Sequence, residues 1–155
     1  MTNRIEGFLI QSQIVVAAAM TGIIWFVQRI TYPQFLDADP TGFSDFHERY
    51  TASLTPIVAP LMISEMALSL AAVWFFRRTP LRNLVVVASL TTGVLWSATF
   101  LVHVPLHERL SSGWSEAGIR ELIHTNWIRT AFWSARLVLL LCISSKLPLT
   151  GKPRG

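Results

Sequence analysis

The sequence predicts an all-α integral membrane protein: one domain, an up-down-up-down four-helix bundle with short extra helices in its two outer loops. Three observations carry that expectation. Of 155 residues, 52% are hydrophobic and 14% are charged, where soluble domains carry about 25% charged residues. The mean hydropathy is +0.46. Four apolar runs, at about 8–30, 54–76, 83–104 and 126–146, each have the ~20 residues with which a helix crosses ~30 Å of hydrocarbon.

The first run exceeds the ~7–15 residues of a signal-peptide core. It passes into "WFVQRITYPQF" with no small-residue cleavage site, so it reads as a retained helix. In the segment 31–53, Asp37, Asp39, Asp45 and Glu48 outnumber Arg49, and "DPTGFSDFHERY" predicts a short helix running into the second span. Pro56 and Pro60 predict a kink in that span's outer third, with neighbouring polar groups satisfying the freed carbonyls. The turn "RRTPLR" carries three positive charges. The third run ends at "HVPLHERL", where Pro105 lacks an amide and predicts a break. In the segment 105–125, Ser115 is placed to cap a short amphipathic helix with Glu116 in its first turn. Trp114 and Trp127 suit a membrane–water interface. The fourth run, "NWIRTAFWSARLVLLLCISSK", leads to a tail with Lys146, Lys152 and Arg154. Basic residues thus collect at the one short turn and the tail, and acidic residues in the two longer loops. The positive-inside rule then puts both termini in the cytoplasm.

Several classes are set aside on the same page. The net charge of +4 does not form a basic stripe interleaved with aromatics, so nucleic acid is not the expected partner. The single cysteine, Cys142, allows no internal disulfide and no cysteine-rich metal site. Gly-rich phosphate loops, G-x-S-x-G elbows and paired C-x-x-C motifs do not occur.

Each span carries polar residues three and four apart, which share one helix face. They are Thr21, Trp25, Gln28 and Tyr32; Thr55, Met62, Glu65 and Ser69; Thr92, Trp96, Thr99 and His103; and Asn126, Arg129, Trp133 and Arg136. In lipid these edges must turn inward. Glu65 lies roughly 16 Å, and Arg136 roughly 15 Å, below the outer ends of their spans at 1.5 Å per residue. They are level, and they are expected to form a buried ion pair, either fixing helix register or flooring a binding cavity. All four histidines, His47, His103, His107 and His124, fall toward one end of the bundle. They read either as hydrogen-bonded interfacial residues or as ligands, His47 and His103 foremost, for haem or a transition metal. Imidazole with carboxylate suits zinc, copper or iron.

At "HVPLHERL" followed by "LIHTNWIRTAFWSAR", the sequence resembles the anthrone oxygenase-like group of small four-span membrane proteins, many of them bacterial. The correspondence is Val104, Pro105, Leu106, His107 and Leu110, then Trp127 or Trp133 with Arg136. It departs at His107, where the family typically has asparagine. The resemblance implies a bacterial inner-membrane bundle that binds a polycyclic aromatic or quinone-like compound and lets oxygen oxidise it. On that reading Trp25, Trp96 and Trp133 sandwich a flat ligand beside Gln28 and Asn126, the alternative being tryptophans that fill the core with their N–H groups on neighbouring threonines. Arg129 and Arg136 then stabilise a phenolate or enolate, and Glu65 and His107 complete the catalytic set. The alternative function is a non-catalytic membrane subunit, or a haem-, metal- or ligand-binding protein of a larger complex or homo-oligomer. A transporter is a weaker third.

Overall fold

The computed structural model describes residues 2–147, so Lys152 and Arg154 of the basic tail lie outside the described residues. Four helical rods make up the chain: α1 (Arg4–Asp37), α2 (Phe43–Phe76), α3 (Arg82–Ser111) and α4 (Glu116–Lys146). All four are long and apolar enough to cross a membrane. Each is about 45–51 Å long at 1.5 Å per residue, well beyond the ~30 Å of hydrocarbon. The extra length has a simple origin: the outer-loop helices are not separate elements. The stretch from Phe43 is the first part of α2, 104–111 completes α3, and 116–125 opens α4.

α2 is helical through both Pro56 and Pro60. Pro105 does not break α3 either. A π turn over Thr99–His103 precedes it, closed by the Val104 N–H on the Thr99 carbonyl. The same device stands in α1, where a π turn over Val27–Thr31 is closed by the Tyr32 N–H on the Val27 carbonyl, just before Pro33. A proline ring clashes with the carbonyl four residues back, and a wider turn in front of it relieves that clash while the chain stays helical.

The ends are held by local chemistry. Ser115 caps α4 as expected, its hydroxyl oxygen accepting the Gly118 N–H at 3.2 Å. Arg77 donates to the Trp74 carbonyl at 3.0 Å and lies over the Trp74 ring, which favours a cation at that helix C-terminus. Between α1 and α2, the Asp39 carboxylate accepts from the Thr41 N–H and hydroxyl at 3.0 and 2.7 Å, which holds its pKa below the ordinary carboxylate value.

In cross-section the rods form a square: α1 packs on α2 and α4, and α3 packs on α2 and α4. Chain neighbours are therefore spatial neighbours, while α2 and α4 stand on a diagonal. The core falls into three layers. Ile10, Ala72, Phe76, Val85 and Leu140 fill the end near the arginine turn. Met20, Ile24, Met62, Leu95 and Trp133 fill the middle. Tyr32, Phe35, Phe43, Leu106 and Ile119 fill the histidine end. The outer surface exposes Phe8, Val15, Leu70, Leu90 and Val138, an apolar coat suited to lipid contact.

Candidate functional site

Two polar constellations occupy the interior, and they are built on different terms. The first is the expected ion pair. Arg136 Nε donates to Glu65 Oε1 at 3.3 Å, with both side chains fully buried. Because α2 and α4 are diagonal, the pair crosses the bundle axis. The rest of the guanidinium is also engaged: Nη2 donates to Gln13 Oε1 at 2.8 Å and to Ser69 Oγ at 2.9 Å, and Nη1 donates to the Ala88 carbonyl. Ser69 in turn meets Thr92 Oγ1 at 3.1 Å, and Trp133 Nε1 donates to Glu65 Oε2 at 2.9 Å. One side chain thus ties all four helices at a single level.

The second constellation surrounds a cavity of about 320 Å³ nearer the histidine end. Met20, Ile24 and Met62 form its floor, and Trp133 lies in the same core layer. Aliphatic side chains and two methionines make up half of the wall; the polar members are Tyr32, Tyr50, Thr51, Thr55, Trp96, Thr99, His103, His107 and Arg129. Several of their atoms are buried with no hydrogen-bond partner: Tyr50 Oη, Trp96 Nε1, Thr99 Oγ1, His103 Nδ1 and Arg129 Nε. Buried polar groups are normally paired, so five orphans around one space mark it as a site for something else. Arg129 is the sharpest case. It is 8% exposed and forms no ion pair among the described residues; the Tyr32 and Tyr50 phenols lie beside it, and its guanidinium is 5.5 Å from the Trp133 ring. Four of the five orphans can donate a hydrogen bond, so the cavity suits an acceptor-rich ligand.

A chain of hydrogen bonds leads away from this cavity. Tyr32 Oη meets His107 Nε2 at 3.0 Å, His107 Nδ1 meets His47 Nε2 at 2.9 Å, and His47 Nδ1 meets Ser111 Oγ at 3.2 Å. The Ser111 hydroxyl donates to the His107 carbonyl. That fixes the direction for neutral imidazoles: His47 Nδ1–H donates to Ser111, His107 Nδ1–H to His47, and the Tyr32 hydroxyl to His107. The chain runs one way, from a tyrosine on the cavity wall to an exposed serine.

Several sequence expectations change here. Neither Glu65 nor Arg136 lines the cavity, so the pair is not its floor. Trp25 is 42% exposed, donates to Ser134 Oγ at 3.0 Å and sits edge-on to Trp127, so it is no part of an inward sandwich. Trp133 is buried on Glu65 rather than on a threonine, and of the three tryptophans Trp96 alone lines the space. Gln28 and Asn126 bind each other: Asn126 Nδ2 donates to Gln28 Oε1 at 2.8 Å, and Gln28 Nε2 donates to the Ile123 carbonyl at 3.1 Å. His47 is partnered with His107 rather than with His103, and His124 is exposed. Among the described residues no three of His, Cys, Asp and Glu come together as metal ligands. The two histidines that do meet turn their facing nitrogens on each other, so this donor set fits a transition metal or haem poorly.

Comparison with protein-family models, curated proteins and solved structures finds no match for this chain. The reading of the site therefore rests on its geometry. Tyr50 is a polar cavity residue that sequence reasoning passed over; it lies in the "HERY" stretch, read as part of a short helix running into the second span, three residues after His47 and on its face of α2. Gln13, a partner of Arg136, was passed over as well; it is one of three glutamines in the first apolar run, and nothing in the sequence set it apart from Gln11.

Proposed function

We propose that this protein is a membrane-embedded oxidoreductase of the oxygenase-like kind, acting on an aromatic or quinone-like small molecule. Its ligand occupies the cavity beside Arg129, in the half of the bundle that faces out if the basic turn and tail are cytoplasmic. The observation that carries this reading is the buried Arg129 with no carboxylate in an otherwise apolar space. A buried guanidinium with the Tyr32 and Tyr50 phenols beside it but no carboxylate is costly in such surroundings, and a phenolate, enolate or quinone oxygen would relieve that cost. Such an oxygen gains most when its charge grows, so Arg129 favours the deprotonated ligand, as an oxyanion site does. The proton then has a route: Tyr32 hands its own to His107 and takes the ligand's, His107 passes one to His47, and His47 to Ser111 at the surface. Dioxygen, on the oxygenase-like reading, is the four-electron oxidant of a ring CH2 conjugated with the enolate: both C–H bonds break, one oxygen atom becomes the new ring carbonyl and the other leaves with the two hydrogens as water.

The test uses purified protein in mild detergent with 2-hydroxy-1,4-naphthoquinone, an anion at neutral pH, and uncharged 1,4-naphthoquinone. Wild type is expected to prefer the anion, and Arg129→Met to lose at least about tenfold of that affinity, about 1.4 kcal/mol, while remaining folded. Equal binding of the anion by the variant would remove Arg129 from the site. Binding without oxygen uptake on any hydroxylated aromatic would favour the non-catalytic, ligand-binding alternative.

A further inference from the structure

The cavity has a side opening, and its position says what kind of molecule uses it. Resting on the ligand-binding reading above, we propose that ligand enters laterally from the bilayer between α2 and α3, and that it is an amphiphile. One oxygenated ring sits against Arg129, and an alkyl or isoprenoid tail stays in the slot.

The exposed members of the cavity wall all belong to those two helices: Thr55 and Ile63 on α2, Phe100 and Val104 on α3. The wall residues from α1 and α4 are buried or half-buried. The slot is bounded at both ends by hydrogen bonds between the same two helices, Ser69 with Thr92 on the arginine side and His47 with His107 on the other. Along the bundle axis the way is closed. Phe35, Phe43, Leu106 and Leu110 are at most 1% exposed beyond the histidine end of the cavity, and Met20, Met62 and Trp133 close the floor.

Depth places the slot in the outer part of the hydrocarbon, up to its edge. Measured from the arginine turn at 1.5 Å per residue, Ile63 stands about 21 Å above Arg77 and Phe100 about 27 Å above Arg82, within a core of ~30 Å, while Thr55 and Val104 stand about 33 Å up, at the interface. The side chains at the rim are mainly apolar, whereas the buried Arg129 and His103 lie on the inner wall. A molecule entering through this opening is sorted by polarity, oxygen atoms inward and hydrocarbon outward. Size agrees. At about 320 Å³ the cavity is at the small end of ligand pockets, room for a substituted ring but not for a long chain as well. A tail must lie in the slot, beside lipid.

The experiment compares 2,3-dimethoxy-5-methyl-1,4-benzoquinone with its 6-decyl derivative, titrated into the purified protein in nanodiscs. The proteins are wild type, Ile63→Trp and Val104→Trp at the rim, and Leu70→Trp on the lipid face away from the slot. The decyl compound should bind wild type at least about tenfold more tightly than the short one after correction for partitioning. Each rim variant should remove most of that gain, so that the ratio between the two compounds falls toward one. Leu70→Trp should behave as wild type. If both compounds bind alike and the rim variants change neither, lateral entry of a tailed ligand is wrong while the pocket itself stands. If neither compound binds folded wild type, both readings fall together. If a co-purifying phospholipid holds the site and the decyl compound does not displace it, the slot belongs to a lipid acyl chain and the proposal is overturned.

Discussion

Arg129 and Arg136 lie two helical turns apart on one face of α4, yet their surroundings predict opposite responses to the same substitution. Arg136 has a carboxylate, an amide, a hydroxyl and a carbonyl as partners. Arg136→Met would leave Glu65 as an uncompensated buried charge, and a loss of about 3–5 kcal/mol is expected. Adding Glu65→Leu in the same chain should recover much of it, since replacing both members of a buried pair is often near neutral. Thermal unfolding of the single and double variants in one detergent checks this; a double variant no better than the single would refute the pairwise account. Arg129→Met, by contrast, removes a charge that has no carboxylate, and its melting temperature should equal or exceed that of wild type. The Glu65–Arg136 contact was legible in the sequence because depth along a helix is simple counting. Trp25 was not. It shares a three-and-four spacing with Thr21 and Gln28, but at 100° per residue it lies about 90° around α1 from the buried line of Ala17 and Ile24. That flank meets Ser134 on the lipid-facing edge of α4.

At the level of elements, the two π turns put the cavity where it is. Val27 lies in one, Thr99 and His103 in the other, and all three line the space. A π turn holds one residue more than an α turn, so it changes the bearing of everything beyond it. Without it, His107 would turn away from His47. Deleting Leu101, an exposed residue within the second π turn, should let the segment close as a regular helix. The shortened protein is expected to fold while losing naphthoquinone affinity by at least about tenfold; unchanged binding would show that the turn does not shape the site. The prolines were visible in the sequence, but a proline alone does not distinguish a broken helix from a widened one. The helix running into the second span was legible, but hydropathy did not show that the Ser115-capped helix joins the fourth span, because "SEAGIRELI" is polar enough to read as a separate element.

For the whole molecule, the bundle and its four spans were legible because apolar run length is set by bilayer thickness, while the cavity was not, because it arises only when four faces meet. Orientation makes its own prediction. In a Cys142→Ala background, a membrane-impermeant maleimide should label Ser112→Cys in intact cells, and Thr79→Cys only after the membrane is opened. The reverse pattern would invert the protein and turn the Ser111 end of the hydrogen-bond chain toward the cytoplasm. The diagonal tie at Arg136 also has a consequence for biogenesis. Its partners are contributed by α1, α2 and α3, yet the arginine itself arrives with the last helix. Until α4 is in place Glu65 has no cationic partner at its depth, and a lone carboxyl in hydrocarbon takes up a proton rather than stand charged. A chain that ends before α4 would keep that carboxyl unpaired, and arrival of α4 closes the contacts of all four helices at once.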